Sequence, residues 1–438
     1  MSFGIYTIGA YNFGIYKLVL DHQKCFALVD QDGIHYMPLY AYFINESPIK
    51  LWGLTSRQRN MRILKSAGVT DIVKDLTVLP DNQSALLLRA DYLFDDRVIR
   101  YLVQSPDVLL KISQAPTDRF VAAHVTTDKS TQAVEILKGA SFTEPISGVR
   151  TETLESLSIS FQQRLLKFEP PFVLPIRPET QRLLERRLFD WSYKGVTDLV
   201  TKWVWPRPAQ WVVGQCVRFG LRPNHVTIIG LLLVILAGVL FAYGWYGWGL
   251  MAGWLMTFLD TVDGKLARVT VTSSPVGHYF DHIIDLVHPP IWYALWGLGL
   301  GTATLGNSEI ALSHVLWAIL IAYIAGRLVE GTFQLCLGRF GIFCWRPLDS
   351  YFRLITARRN PNMIILTLSA LGGRPDLGLL AVALWTVLTT LFLLFRLALA
   401  GYVHFRRGAL RSWLKDVNQP QYSGSLAVRL FTRHTGDN

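Results

Sequence analysis

Apolar and polar positions divide this 438-residue chain into two halves of different character. Residues 1–220 mix short apolar runs with charged stretches, as water-soluble proteins do. Residues 226–403 carry repeated apolar runs of membrane-crossing length. In the first half TDIVKDLTVL, ALLLRADYLF, DVLLKIS and FVAAHVTT have strand composition, and DDRVIRYLVQS and DKSTQAVEILKGA have the period of amphipathic helices. Their alternation over 1–150 predicts a soluble α/β domain with a largely parallel sheet. Residues 151–220 read as a linker, proline-rich at first (FEPPFVLPIRPE), then basic and aromatic (RLLERRLFDWSYKG, DLVTKWVWPRPAQWVVGQCVRFG). The latter predict juxtamembrane helices on the bilayer surface, with ordinary solvated helices as the alternative.

Six spans follow within 221–405: 226–243, from about 247 into DTVDGKLAR, from about 275 through LVHPPIWYALWGLGLG, 310–331, a short one near 361–373, and 377–403. A basic tail occupies 406–438. The predicted fold is therefore multi-domain, an N-terminal soluble α/β domain followed by an all-α six-helix transmembrane domain. Charge agrees with the count. Lys265 and Arg268 follow span two, five arginines from Arg339 to Arg359 follow span four, and Arg406, Arg407, Arg411 and Lys415 follow span six; the opposite loops hold little beyond Arg374. The positive-inside rule then puts both termini in the cytoplasm.

The net charge of +11 suits anionic lipid headgroups, and no nucleic-acid-binding motif accompanies it. Cys25, Cys216, Cys336 and Cys344 form no CxxC pair, which predicts neither a disulfide framework nor a zinc site. The first residues, MSFGIYTIGAYNFGIYK, lack the basic-then-apolar order of a cleaved signal peptide.

Residues 260–285, DTVDGKLARVTVTSSPVGHYFDHIID, carry the chemistry. Asp260 and Asp263 share one helix face, and Asp281 and Asp285 share a face of the next helix. Ser273, Ser274 and Pro275 supply a helix start between them. Four carboxylates at adjoining span ends repel one another and outnumber the local bases. An oxygen-only ligand set of this density suits Mg²⁺ or Mn²⁺, as one ion or two, better than zinc. Lys265 and Arg268 add positive charge fit for a diphosphate.

The spacing D-x2-D-G-x2-A-R-x8-G-x3-D-x3-D, filled by Asp260, Asp263, Gly264, Ala267, Arg268, Gly277, Asp281 and Asp285, resembles the signature of the CDP-alcohol phosphotransferase (CDP-alcohol phosphatidyltransferase) family, over about 205–405. The resemblance implies transfer of a phosphatidyl group from a CDP-alcohol, usually CDP-diacylglycerol, to an alcohol acceptor with release of CMP, in phospholipid biosynthesis. It implies Asp260, Asp263 and Asp281 as metal ligands, and Asp285 as general base that also touches metal. It further implies Gly264, Ala267 and Gly277 lining a cytidine pocket, Arg268 on the diphosphate, and a homodimer; a bacterial inner membrane is the expected location.

Arg358 and Arg359 read either as topology charges or as a dock for a phosphate on the acceptor, such as inositol phosphate or glycerol phosphate. Arg327, inside span four, calls for a partner, and Glu330 three residues on is the candidate. HPP at 288–290 predicts a helix kink. The first domain faintly resembles a nucleotidyltransferase, in LWGLTSRQRNMRILKSAGVTDIV and LLLRADYLFDD, but ALVDQDGIHYMPLY lacks the glycine-rich phosphate loop. This predicts an inactive domain, with Asp91 the residue to watch. A bifunctional cytidylyltransferase/phosphotransferase with a donor such as CDP-inositol is the alternative enzyme. A cation-coupled transporter is the alternative of another class.

Overall fold

The computed structural model describes residues 26–30, 33–37, 39–80, 83–113, 118–139, 146–157, 161–162, 167–273, 275–305, 308–417, 419–422 and 424–432. The amino-terminal part is built on six strands: β1 (Leu39–Ile44), β2 (Asp71–Ile72), β3 (Ser84–Arg89), β4 (Val108–Ile112), β5 (Arg119–Thr126) and β6 (Arg150–Thr153). Their order across the sheet is β6-β4-β5-β3-β1-β2. The sheet is mixed rather than largely parallel: β1 runs parallel to β2 and β3, β4 runs parallel to β6, and β5 is antiparallel to both neighbours. The short 113–118 connection explains this, since it closes a hairpin but is too short for a crossover. The expected helices are α1 (Ser56–Ser66), α2 (Asp96–Gln104) and α3 (Thr127–Lys138). Thr55 starts α1 with a capping box to Gln58.

Helices α4 (Gln181–Trp191) and α5 (Pro206–Arg218) bridge the halves. Ala209, Val213 and Cys216 bury one face of α5, while Trp211 on the other is 68% exposed. The carboxyl-terminal half holds α6 (Pro223–Ala242), α7 (Tyr246–Val269), α8 (Pro275–Leu300), α9 (Leu312–Thr332), α10 (Pro347–Ile355), α11 (Arg359–Leu371), α12 (Pro375–Arg407) and α13 (Leu426–Phe431). α6 packs on α7 and α8, α9 on α12, and α11 on α12 and α7.

Among the described residues, three helices are long and apolar enough to cross a membrane: Pro223–Ala242, Leu312–Gly338 and Pro375–Arg407. α7 carries Asp260, Asp263, Lys265 and Arg268 near its end. α11 has 13 residues, about 20 Å at 1.5 Å each, short of a ~30 Å hydrocarbon core. Trp317, Ile321, Ile324 and Leu328, at helical spacing on α9, are all at least half exposed or nearly so, as expected of a lipid-facing stripe.

One hydrophobic core crosses from the sheet domain into the helical half. Leu51, Trp52 and Leu93 pack with Leu184 and Leu188 of α4, Val213 of α5, and Val262, Leu266 and Val269 of α7. The Trp52 indole donates to the Glu185 carbonyl (2.8 Å), and Arg59 of α1 reaches the Val269 carbonyl at the end of α7 (2.8 Å). Cys216, Cys336 and Cys344 are free thiols, and Cys25 lies outside the described residues.

Candidate active site

The turn between α7 and α8 gathers the aspartate signature. Asp260, Gly264 and Arg268 recur at intervals of four on α7, so one face presents all three to a polar chamber of about 300 Å³. Asp285 of α8, Arg358, and Arg359 at the start of α11 complete part of its wall. Asp263 is turned toward α6, where its carboxylate accepts from the Thr227 hydroxyl (2.7 Å) in the RPNHVT segment. Ala267 and Gly277 are not among the lining residues, and the Asp281 side chain lies outside the described ones.

A single guanidinium joins the two lining carboxylates. Arg359 donates from Nη1 to Asp285 (2.5 Å) and from Nη2 to Asp260. A cation held between carboxylates of successive helices is the arrangement their mutual repulsion demands. The same oxygens are the donors a hard divalent cation takes, so Asp260 and Asp285 fit such a site, with Asp263 and Asp281 available by sequence position. Among the described residues no cluster of three metal-ligating side chains is formed.

Gly264 is not fixed by packing. A Cβ there would meet only the Arg268 guanidinium, at 3.5 Å, an ordinary contact. Arg268 Nη1 donates to the Ser192 carbonyl (3.1 Å), as does the Lys265 ammonium (3.2 Å), which lies 3.4 Å over the Tyr193 ring. Lys265 is thus buried as a tie to the 192–201 segment, although it also borders the chamber.

That segment, between α4 and α5, forms a wall the sequence reading missed. Lys194, Thr197, Asp198 and Thr201 all line the chamber. Asp198 accepts from Thr201 and from Asn360 Nδ2 (3.0 Å). Burial pushes its carboxyl up, but Arg353, Thr201 and Asn360 together hold it below its ordinary value. The Lys194 ammonium is pushed down to about 8 by burial and by Arg268, Arg353 and Arg358. Nothing in 192–201 resembles a motif, and it lies over sixty residues from the aspartates, so only the fold could reveal it.

The expected Arg327–Glu330 pair is present (3.1 Å), and Glu330 also binds Arg358. α8 runs on through Pro289 and Pro290. Proline at 290 removes the amide that would serve the Leu286 carbonyl, and the Tyr323 hydroxyl takes its place (2.9 Å). His288 bonds the Ile284 carbonyl and packs edge-on against Trp292, a helix-interior role.

An apolar groove of about 830 Å³ lies between α8 and α9, lined by residues such as Val287, Ile291, Leu316 and Leu320. It shares Leu286, Tyr323 and Arg327 with the polar chamber, so apolar and charged volumes meet end to end. In the first domain, the Asp91 carboxylate is gripped by Arg89 through Nε (3.0 Å) and Nη2 (2.5 Å).

Comparison with known proteins finds similarity in the same region. Residues 221–340 match the model of the CDP-alcohol phosphatidyltransferase family. A bifunctional IPC transferase and DIPP synthase of Rubrobacter xylanophilus is 27% identical over 204 residues, 47% of this chain and 43% of that protein. An archaetidylinositol phosphate synthase of Pyrococcus horikoshii is 26% identical over 188 residues, 42% of this chain and 87% of that protein. A phosphatidylinositol phosphate synthase of Mycobacteroides abscessus is 33% identical over 114 residues, 25% of this chain and 52% of that protein. The chain thus spans less than half the length of the first of these relatives.

Proposed function

We propose, from the match of residues 221–340 to the CDP-alcohol phosphatidyltransferase family model, that the protein moves a substituted phosphate group from a CDP-alcohol to an alcohol acceptor and releases CMP. The observation that carries this is the convergence of Asp260 and Asp285 on one cation, beside Gly264 and Arg268, in a chamber that opens into an apolar groove. The groove favours CDP-diacylglycerol as donor, with an acyl chain between α8 and α9 and the diphosphate beside Arg268 and Arg327.

Asp260, Asp263, Asp281 and Asp285 would hold Mg²⁺ or Mn²⁺, which when bound neutralises the diphosphate and stabilises the departing CMP. Asp285 takes the proton of the acceptor hydroxyl. The acceptor oxygen bonds to the phosphorus carrying the lipid alcohol, the bond from that phosphorus to the CMP oxygen breaks, and CMP leaves with the electron pair. Gly264 leaves room for the cytidine, while Ala267 and Gly277 have this role only by the family resemblance. Arg359, which pairs with Asp260 and Asp285, would share those carboxylates with a bound cation and, with Arg358, would meet a phosphate on the acceptor. An inositol phosphate or glycerol phosphate acceptor is the class these arginines suit.

All six helices α6–α9, α11 and α12 cross the membrane in this reading, with both termini and the site at the cytoplasmic face of a bacterial inner membrane. A homodimer follows from the family resemblance. Residues 1–150 serve as support rather than as a cytidylyltransferase, because Arg89 occupies the carboxylate of Asp91. The test is CMP release by the purified protein from CDP-diacylglycerol with Mg²⁺ or Mn²⁺ across an acceptor panel, with Asp285→Asn as control. Turnover of CTP instead, or release undiminished in Asp285→Asn, would overturn the reading.

A further inference from the structure

The chamber has a wall that the aspartate helices do not supply. Lys194, Thr197, Asp198 and Thr201 line it from the 192–201 segment, and Arg353 lines it from α10. The segment lies between α4 and α5, and α10 has only nine residues, so neither element is stable by its own backbone bonds. What holds them is the last part of the described chain. Trp413 is 2% exposed, and its indole donates to the Ser350 hydroxyl of α10 (2.9 Å), which gives its one proton to the Phe343 carbonyl (2.7 Å). The Ser412 hydroxyl donates to the Cys344 carbonyl (2.7 Å). Phe431 of α13 packs edge-on against Tyr351 of α10, with ring centroids 5.4 Å apart, and the Lys202 ammonium stands 5.2 Å from its centroid. Lys202 in turn donates to the Gly195 carbonyl (3.0 Å), which closes the 192–201 segment on itself. Val196 of that segment shares one buried core with Phe343, Trp345, Trp413, Leu414 and Phe431.

We propose that Trp413 and Phe431 are positioning residues for this wall: residues 410–417 and 424–432 form a strap that keeps α10 and the 192–201 segment in register with each other and with the chamber. The proposal rests on the transfer reaction above for its effect on turnover, and it gives a task to chain outside the residues matched by the family model. Trp413 and Phe431 are not among the lining residues, so each acts through others. Trp413 reaches Arg353 through Ser350, three positions earlier on α10. Phe431 reaches the 192–201 segment through Lys202. The residue types fit the task. A phenylalanine at 413 would bury a similar ring, but only an indole supplies the donor that the Ser350 oxygen accepts once its own proton is given to Phe343. Two bonds in series thus fix positions 343, 350 and 413 against one another. At 431 an aromatic ring is required, because a π face attracts the Lys202 ammonium and an aliphatic side chain does not.

The experiment uses the full chain in nanodiscs and compares wild type with Trp413→Phe, which removes the N–H and keeps a ring, with Ser350→Ala and with Phe431→Leu. Hydrogen exchange is read first. Loss of one buried hydrogen bond predicts exchange over 347–355 roughly five-fold faster in Trp413→Phe. Phe431→Leu extends the rise to 194–204, while β3 and α6 exchange as before. Trp413→Phe combined with Ser350→Ala exchanges no faster than the worse of the two alone, because both remove the same bond. In turnover, KM for a substrate held by this wall rises several-fold in Trp413→Phe and Phe431→Leu. The Mg²⁺ concentration for half-maximal rate stays as in wild type, because Asp260 and Asp285 belong to α7 and α8. A mere loss of folded protein moves neither quantity. Faster exchange confined to 409–432 would overturn the proposal, as would wild-type KM values or an equal shift in the Mg²⁺ dependence. If wild type releases no CMP, the transfer reading fails, and the exchange pattern alone decides whether the strap stands.

Discussion

Substituting Gly264 by alanine separates a ligand's need for space from the protein's own. Gly264 sits within α7, where glycine costs roughly 0.5–1 kcal/mol relative to alanine. The new methyl would meet only the Arg268 guanidinium, at 3.5 Å, which requires no movement. Packing and propensity together predict Gly264→Ala to be as stable as wild type or about 0.5–1 kcal/mol more so. If the chamber admits a nucleotide against this face, the same methyl enters the ligand's volume, and overpacking of about 1–3 kcal/mol becomes roughly 5- to 150-fold weaker binding. The assay pairs thermal unfolding in detergent with CDP titration at fixed Mg²⁺. Unchanged or raised stability with CDP binding weakened at least five-fold is the expected result. Undiminished CDP binding would refute the argument, because it would leave Gly264 with no steric task at all.

Arg59→Ala should loosen the end of α7 locally. Removing a charge-assisted bond to Val269 costs about 1–2 kcal/mol after the recovered solvation of a buried arginine, so hydrogen exchange over 262–273 should rise roughly 5- to 30-fold while β3 and β5 exchange as before. The pair of Asp349 and Arg396, joined at 2.6 and 2.8 Å and both nearly inaccessible, should lose about 3–5 kcal/mol on Arg396→Met, and much less in the double variant with Asp349→Leu, by thermal unfolding. The Lys194 ammonium, pushed down to about 8 by burial and by Arg268, Arg353 and Arg358, costs stability below pH 8, and that cost disappears as pH approaches its ordinary 10.5; Lys194→Met should flatten this dependence in thermal unfolding.

Sequence reading went furthest where chemistry and period coincide. Helices α6–α9, α11 and α12 begin and end within a few residues of the apolar runs that predicted them, while among the described residues three helices have the length and apolar character of a span. The Arg327–Glu330 pair followed from spacing, whereas the expected shared face of Asp260 and Asp263 did not hold: Asp260 lines the chamber with Gly264 and Arg268, and Asp263 turns to Thr227 of α6. What escaped was long-range. Arg359 reaches Asp260 across 99 residues, and Lys194 enters a site whose signature lies far downstream. A lysine in an ordinary-looking loop has no period, partner or spacing to betray it. The antiparallel β5 escaped for another reason: parallel and antiparallel strands share composition, and only the brevity of 113–118 distinguishes them.

The halves are coupled at the turn that joins the aspartate-bearing helices. The chain reverses between α7 and α8 at Val271, whose φ of 51° lies in the left-handed region that a β-branched residue resists. Such strain persists only if its surroundings hold it, and the Val271 side chain packs against the core of the sheet domain, with Leu39, Leu86 and Val98 among that core's members. One residue earlier, Thr270 gives its carbonyl to Arg62, and Val269 gives its own to Arg59, both from α1. Two arginines at a helix carboxyl terminus also oppose the partial negative charge that the helix dipole gathers there. Three successive residues of the turn joining the two aspartate pairs are thus anchored on the first domain. The distance between Asp260 and Asp285 is set by that turn, so the domain fixes the geometry of the carboxylates without lending the site a reactive group. The first domain thereby gives the helical half a rigid face, while its own Asp91 is paired with Arg89.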